Sequence, residues 1–395
     1  MANAIHEFDI VIIGGGIVGA TAACRLADQF ARIALIDIGT SAPWNLNNPF
    51  GLRVSALNLA TINLFEQINI WESVLAMRAY PYRSMYVWEQ SSNAEIEFNA
   101  SQTSQLSLGA IVENQVILAA LDQALNANRN ITRFNGHAFK NCHAISNASM
   151  LVELEDETKL STMLLVGADG QSSQVRESVG IEVSKKDYQQ FGLVAVVETE
   201  YTHQHTAWQC FNHEGPLALL PLSEKHCSMV WSVPEVRSND LMSISETQFN
   251  QLITTGSEHK LGQLKLISER KKFPLAGLQA EHYIAERTVL MGDAAHVVHP
   301  LAGLGLNLGL ADVSSLATLL ANSSRALGSQ RVLRQYERER KSENVIMQHS
   351  LEWIDKLFRG DQQLSRSLRS AGVNFTNKTL PLKTFFMHKA LGIPV

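Results

Sequence analysis

The sequence has few cysteines, and their arrangement excludes two common uses of that residue. Its 395 residues contain four, Cys24, Cys142, Cys210 and Cys227, at wide spacings and without a CxxC pair. This pattern fits neither a disulfide framework nor a zinc site built on paired cysteines. We therefore expect a reducing, cytoplasmic compartment and no bound metal.

The chain also lacks an excess of positive charge and a long apolar run. Its formal net charge is −5, which argues against nucleic acid as a partner. No stretch reaches the roughly 18 uninterrupted apolar residues of a membrane-spanning helix. The apolar run "IVIIGGGIVGATAAC" near the start has no basic segment before it, so we do not interpret it as a signal peptide.

That apolar run belongs to a pattern typical of nucleotide binding. Residues 8–37, "FDIVIIGGGIVGATAACRLADQFARIALID", predict a strand, a glycine turn, a helix and a second strand. Gly14 would allow the tight turn, Gly16 the approach of a pyrophosphate, and Gly19 close packing of helix on strand. Asp37 ends the second strand, where an acid can bind ribose hydroxyls. Asp37 argues against NADP at this site but does not separate NAD from FAD.

Two further strands are predicted to end at a carboxylate. In "LSTMLLVGADGQSSQVRESVG" (160–180), Asp169 follows an apolar strand and precedes a serine-rich helix start that carries Arg176. Taken alone, this could be an ordinary β-turn. In "MGDAAHVVHPLAGLGLNLGLADV" (291–313), Asp293 follows another apolar strand and precedes several glycines. With Asp37, the chain has three acids at strand ends, each beside a glycine turn or a helix start.

These three motifs, in this order, resemble the FAD-dependent aromatic-ring monooxygenases of the p-hydroxybenzoate hydroxylase type. "LRVSALN" (52–58) and "VENQVILAAL" (112–121) are similar to the ubiquinone-biosynthesis hydroxylases. "AMRAYPYRSMYVWE" (76–89) is most similar to the branch that hydroxylates the demethoxy-ubiquinol ring. The resemblance covers essentially the whole chain.

The resemblance implies a flavin site. Asp293 would hold the ribityl chain, and Gly292 would allow the backbone to approach it closely. Gly303 and Gly305 would let the backbone pass beneath the isoalloxazine ring, and Asn307 would meet the pyrimidine edge. The helix that starts there would direct its positive end at that edge. Leu304 and Ala311 depart from the family, which commonly has Gln and Arg there. The implied cofactor-binding residues are Gly14, Gly16, Gly19, Asp37, Arg53 near the FAD phosphates, Asp169, Gly292, Asp293, Gly303 and Leu306, and the implied catalytic residues are Pro300, Gly305 and Asn307.

The expected fold is α/β, with a Rossmann-like FAD-binding domain, an interleaved β-sheet substrate domain and C-terminal helices. Short apolar pieces from Tyr188 to about Phe273 predict strands, and residues 84–100 should join them in a sheet that caps the flavin. The expected segments are 1–80, 106–185 and 281–335 for the FAD-binding domain, 81–105 and 186–280 for the substrate domain, and 336–395 for the C-terminal helical segment.

Histidines give weaker signals. His203 and His205 would share one face of a strand, but two histidines without a third ligand are usually solvated. His296 and His299 lie inside the third motif, where each can be a packing residue rather than a proton donor.

The resemblance implies hydroxylation of a polyprenylated phenol or benzoquinol in ubiquinone biosynthesis, with FAD bound, NAD(P)H as transient co-substrate, and O2 activated as a flavin C4a-hydroperoxide. A prenyl-chain reductase of the same fold and a non-catalytic flavoprotein scaffold in a quinone-biosynthesis complex stay open as alternatives. From Lys356 onward the chain has seven bases and one acid. We expect this segment either to pack on the FAD domain or to contact the inner face of the cell membrane or a partner.

Overall fold

The structure is a computed structural model that describes residues 5–39, 43–90, 95–102, 105–146, 148–299, 303 and 305–359. Pro300, Leu304 and the basic residues after Arg359 lie outside the described residues. The predicted fold class is confirmed, since a largely parallel sheet with helices is interleaved along the chain with a second, mainly antiparallel sheet.

The first sheet carries the Rossmann-like unit. Its main path runs β18-β19-β11-β1-β2-β8, and from β19 to β8 the neighbouring strands pair in parallel. The carboxyl ends of these strands therefore meet at one edge. The strands of this sheet are β1 (Ile5–Ile13), β2 (Ile33–Asp37), β8 (Ile131–Asn135), β9 (Phe139–Ser146), β10 (Ser149–Leu154), β11 (Lys159–Gly167), β18 (Ile284–Ala285) and β19 (Thr288–Leu290).

The second sheet is built from three separate parts of the chain, of which the early pair of strands and the long central part were predicted, whereas β20 lies in a segment expected to belong to the FAD-binding domain. Its order is β20-β17-β12-β15-β14-β13-β5-β6, with β16 paired to β12. The early strands β5 and β6 join it through β13. Its strands are β5 (Ser84–Glu89), β6 (Glu95–Asn99), β12 (Val183–Thr199), β13 (Thr206–Asn212), β14 (Gly215–Ser223), β15 (His226–Pro234), β16 (Leu264–Leu266), β17 (Lys271–Ala280) and β20 (His296–Val297).

A small third sheet, β3-β7-β4, lies beside the second. Its strands are β3 (Val54–Asn58), β4 (Ala79–Tyr82) and β7 (Gly109–Glu113). The helices are α1 (Ile17–Leu26), α2 (Leu59–Gln67), α3 (Trp71–Arg78), α4 (Asn114–Ala127), α5 (Gln174–Ser178), α6 (Glu235–Ser243), α7 (Glu246–Gly256), α8 (Gly305–Ala321) and α9 (Gln330–Arg359), with short 3-10 turns at Ala100–Gln102 and Gly292–Ala294.

The two faces of the second sheet have different partners. One face is covered by α6 and α7, and Leu241, Phe249 and Ile253 of these helices share a buried cluster with the sheet. We call this the outer face. The opposite, inner face is turned toward the third sheet and the start of α8, where two smaller clusters form. The inner face is therefore the one that borders the nucleotide-binding unit.

Two expectations for the second sheet need correction. The region from Tyr188 to Phe273 is not only strands, because α6 and α7 lie within it. The capping box of Ser245 and Gln248 at the start of α7 is the sequence signal that could have revealed α7. His203 and His205 do not lie on a strand but in the turn before β13, where His205 has φ +54°.

The segment boundaries stay a prediction. Helix α9 starts at Gln330, before the expected C-terminal segment begins at residue 336. Among the described residues, no helix is both long enough and apolar enough to cross a membrane.

Candidate active site

The glycines of the turn after β1 have different surroundings, as their spacing predicts. Gly14 has φ +103°, and a Cβ there would lie 2.3 Å from the carbonyl oxygen of Ala168. A Cβ on Gly19 would lie 1.9 Å from the carbonyl oxygen of Gly14, so α1 packs against the turn too closely for a side chain. Gly16, the residue just before α1, has nothing within 4 Å of its Cβ position. The start of α1 is therefore open on one side, where backbone N–H groups can bind an anion.

The three predicted acids lie along one edge of the first sheet. Asp37 ends β2, Asp169 follows β11, and Asp293 follows β19. These strands and β1 are neighbours in the parallel part of the sheet. Asp37 is half-buried beside the glycine turn, since a Cβ on Gly15 would lie 2.7 Å from its Oδ2 atom. Tertiary structure thus brings together acids that are more than a hundred residues apart in sequence.

Asp293 is the acid best placed to bind a ligand. Its side chain reaches solvent, and among the described residues no hydrogen bond to its carboxylate is found. The surrounding protein still removes enough water to raise the pKa of the carboxyl, against the opposing charges of His296 and Arg53. A desolvated acceptor without a protein donor suits the hydroxyl groups of a polyol chain.

Arg53 is exposed just before β3, and its loop is held by a buried carboxylate that sequence reasoning missed. Glu113, at the end of β7, accepts hydrogen bonds from the Gly51 N–H at 2.5 Å and from Arg78 Nε at 2.5 Å and Nη2 at 3.0 Å. Arg78 also stacks over the ring of Phe50 at 4.6 Å. This ion pair fixes the loop that presents Arg53.

A second helix start faces the same region. Gly303 has φ +59°, and Gly305, the first residue of α8, has nothing within 4 Å of its Cβ position. Half-buried Leu306 packs against the main core. Helix starts carry partial positive charge, so α8 can stabilise negative charge on a ring placed at its end. Since Pro300 lies outside the described residues, its catalytic role stays a prediction.

The structure revises the role of the Asn307 side chain. Its Oδ1 accepts hydrogen bonds from the Asn58 N–H at 3.0 Å and from Thr61 Oγ1 at 2.8 Å, and its Nδ2 donates to the Ala56 carbonyl at 2.8 Å. A weaker bond to the Gly303 carbonyl uses the remaining donor. The amide therefore ties the start of α8 to β3 and α2, and its contact with a flavin edge stays a prediction.

Asp169 also has a positioning role. Its Oδ1 accepts from Ser173 Oγ at 2.5 Å and its Oδ2 from the Val175 N–H at 3.1 Å, which caps α5. Buried Arg176 of α5 donates to the Ala294 carbonyl at 2.8 Å. The second motif thereby supports the Gly292–Ala294 turn, and direct contact of Asp169 with the cofactor stays a prediction.

The turn that carries Asp293 is held from behind by Asp312, which is fully buried. Asp312 accepts hydrogen bonds from the Gly292 N–H at 2.9 Å, from His296 Nε2 at 2.6 Å and from Arg340 Nε at 2.7 Å. Burial by itself would raise the pKa of the Asp312 carboxyl, but His296 and Arg340 more than offset that effect and leave the pKa lowered. His296 is therefore a packing residue of an ionic cluster.

His299 is also buried and donates to Gln190 Oε1 at 3.1 Å. Among the described residues, no group of three side chains is arranged to hold a metal ion. His203 contacts the Ser223 carbonyl, and its ring meets that of Tyr80 edge-on.

Comparison with known proteins agrees with this geometry. Residues 7–348 match the family described as FAD binding domain. The chain is 32% identical to 3-demethoxyubiquinol 3-hydroxylase of Escherichia coli (strain K12), over 98% of either chain. It is 30% identical to mitochondrial ubiquinone biosynthesis monooxygenase COQ6 of Caenorhabditis elegans, over 98% of this chain and 96% of that protein.

Solved structures share the fold. PqsL of Pseudomonas aeruginosa in complex with 2-aminobenzoylacetate has a TM-score of 0.79 and 22% identity, covering 94% of this chain and 100% of that chain. The chain therefore belongs to the FAD-dependent monooxygenases, in the branch that contains the ubiquinone-biosynthesis hydroxylases. The resemblance inferred from the three motifs is confirmed.

The residues at the carboxyl edge fit FAD. Two helix starts have glycines with no protein atom within 4 Å of the Cβ position, and the exposed carboxylate of Asp293 has no protein donor among the described residues. In this fit, the start of α1 would hold the pyrophosphate, Asp37 the ribose, Asp293 the ribityl chain and the start of α8 the ring.

Replacing Gly16 with valine should abolish FAD binding and leave the protein folded. The backbone at Gly16 is extended (φ −64°, ψ 179°), and nothing in the protein lies within 4 Å of its Cβ position. The valine would occupy the space that the pyrophosphate needs. Flavin absorbance after gel filtration measures the loss, and circular dichroism checks folding. In contrast, Gly19→Ala should impair folding itself. A folded Gly16→Val protein with full flavin content would contradict the assignment.

Replacing Asp293 with alanine should weaken FAD binding about 10- to 100-fold, because a hydrogen bond to a charged group is worth ~1.5–3 kcal/mol. The affinity of the unmodified protein should also fall as the pH drops through the raised pKa of Asp293, whose usual value is 3.8, since a donor hydroxyl favours the ionised carboxylate. Fluorescence titration of the apoprotein measures both effects. Asp240→Ala, on the exposed surface of α6, is the control. Equal affinity of the Asp293→Ala and control proteins would remove Asp293 from the site.

Proposed function

We propose that this protein hydroxylates the aromatic ring of a polyprenylated phenol or benzoquinol intermediate of ubiquinone biosynthesis, with FAD, NAD(P)H and O2. The observation that carries this proposal is the convergence on one sheet edge of two open helix starts and of the Asp293 carboxylate, which is exposed and has no protein donor among the described residues. The names of the two curated relatives supply the substrate class. When bound, FAD supplies the oxygen-activating redox chemistry.

The chain itself contributes binding, orientation and electrostatics. The start of α8 favours negative charge on the ring that it faces. The Asn307 side chain fixes that helix start against β3, and the inner face of the second sheet closes the site from the other side. Exclusion of water by these walls would limit side reactions of a reactive intermediate.

The alternatives are a prenyl-chain reductase and a non-catalytic scaffold. Both relatives are named for oxygen insertion, which favours hydroxylation. The test uses purified holoenzyme, NADH or NADPH, and a short-chain demethoxy-ubiquinol in labelled O2. We expect substrate-dependent O2 consumption and one labelled oxygen atom in the product by mass spectrometry. Saturation of the prenyl chain would instead indicate a reductase, and the absence of either reaction would indicate a scaffold.

A polyprenyl substrate is nearly insoluble in water, so we propose that the C-terminal part of the chain contacts anionic lipid. On α9, three bases and one acid line an open groove with Val345 and Ile346, and Ile346 is 66% exposed. The bases are Arg334, Arg338 and Lys341, and the acid is Glu337. The residues that follow α9 continue this basic character in the sequence. Basic groups near an anionic surface contribute about 1 kcal/mol each.

Removal of residues 361–395 should leave FAD bound but weaken association with anionic liposomes. The truncation deletes Arg366, Arg369, Lys378, Lys383 and Lys389 and one acid, Asp361, so the loss should shrink as salt is raised. Co-sedimentation with anionic and neutral liposomes measures it, and flavin content is the control. Equal binding of both proteins to anionic liposomes at low salt would assign the segment to packing.

A further inference from the structure

The inner face of the second sheet is packed at two places and open between them. Toward one end, Met85, Ala207 and Leu220 pack with Leu52 and Ala56 beside the third sheet. Toward the other end, Val87 and Phe211 pack with Val298 and Leu308, near the turn of Asp293 and the start of α8. On β13, Ala207 and Phe211 belong to these two different clusters. The residue between them on the same face, Gln209, therefore lies over the gap.

The same gap is spanned on the flavin side by the start of α8. Asn307 donates to the Ala56 carbonyl, and Ala56 belongs to the first cluster. Leu308, the next residue, belongs to the second cluster. A ring bound at the start of α8 would thus have the inner face of the sheet opposite to it.

Strand register identifies the side chains that border this gap. Gln209 of β13 pairs with Val87 of β5 and with Ala218 of β14. Ala218 pairs with Val230 of β15, which pairs with Val194 of β12. Directly paired residues share a face of the sheet, so these five side chains form one row, which we call the gap row.

The gap row is apolar except for Gln209. Val87, Gln209, Ala218 and Val230 are half-buried rather than fully buried, which places them on an accessible wall. No hydrogen bond to the Gln209 amide is found among the described residues. The neighbouring row contains Ser228, but that residue is fully buried. Among the five side chains of the gap row, Gln209 is therefore the accessible polar one. Beyond Val194 the register continues to the exposed Lys271 of β17, which forms an ion pair with Glu269. On the other side of the gap, the row of Phe211 contains Glu89, which is buried.

We propose that the Gln209 side-chain amide forms a hydrogen bond with the ring hydroxyl of the substrate, while the apolar members of the gap row contact its alkyl and methoxy substituents. This inference rests on the proposed function and deepens it, because it selects a neutral ring. A substrate ring that carried a carboxylate would lose the water bound to that group on entering the site. The uncharged Gln209 amide would offer no opposite charge in compensation. A neutral phenol needs only one polar partner for its hydroxyl.

The test pairs a protein change with a ligand change. The holoenzyme is titrated by calorimetry with a 2-methoxyphenol that carries one geranyl chain, and with the same compound methylated on the hydroxyl. The unmodified protein should prefer the phenol about 3- to 10-fold, the range expected for one hydrogen bond. Gln209→Leu should abolish this preference. Its affinity for the methyl ether should stay within about 2-fold of that of the unmodified protein. Flavin content shows that each variant remains a holoenzyme.

Two further variants complete the design. Gln251→Leu removes an exposed glutamine of α7, the helix on the outer face, and should retain the preference. Gln209→Met, which is similar in length but has no amide, should lose it and serves if the leucine variant loses flavin or folds poorly. Two outcomes would overturn this inference and leave the proposed function intact. One is retention of the phenol preference in the Gln209 variants, and the other is an unmodified protein that binds both probes equally. An unmodified holoenzyme that binds neither probe would overturn both the inference and the proposed function.

Discussion

The candidate site depends on the close contact between α1, the Gly292–Ala294 turn and α8. A Cβ on Gly309 of α8 would lie 2.9 Å from Val18 Cγ2 and 3.1 Å from the Cα atom of Gly292, and Gly292 has φ +57°. Side chains at these two glycines would push the helices apart. Because of this contact, the starts of α1 and α8 come close to the same sheet edge, and a single extended cofactor can contact both.

This contact is held by a buried charge. Asp312 binds the backbone of the turn, His296 and Arg340, and thereby joins α8, the turn and α9. Burial of an ion costs several kcal/mol, and its hydrogen-bonded partners offset that cost. The charges of this cluster are satisfied within the protein. Asp293, a few residues before His296, is exposed to solvent and has no protein donor among the described residues, so its carboxylate remains available to a ligand.

The second sheet gives the site its other wall. Its outer face is closed by α6 and α7, and its inner face is the one turned toward the candidate site. There the chain presents mainly small and aliphatic side chains, which suits a ring with apolar substituents. The fold thus combines a polar, charge-bearing sheet edge with a more apolar surface opposite to it.

Much of the cofactor half could be predicted from the sequence because its signals are local. The glycine spacing after β1 and the acids at or just after the ends of β2, β11 and β19 each follow from backbone geometry within a short segment, and the strand character of β5 and β6 is also local, although their pairing through β13 is not. Other features depend on partners far away in the chain. Three such features have no local signature in the sequence. They are the hydrogen bonds of the Asn307 amide to Ala56 and Asn58, the support of the Arg53 loop by Glu113 and Arg78, and the burial of Asp312 against Arg340.

The sequence by itself therefore determined that the chain has a dinucleotide-binding unit and which acids end its strands, because turns, caps and strand ends obey short-range steric and hydrogen-bonding rules. Only the tertiary structure decided which polar side chains form hydrogen bonds within the protein and which remain available to a ligand. A side chain's availability depends on the donors, acceptors and solvent around it, and these come from segments as distant as residues 56 and 307.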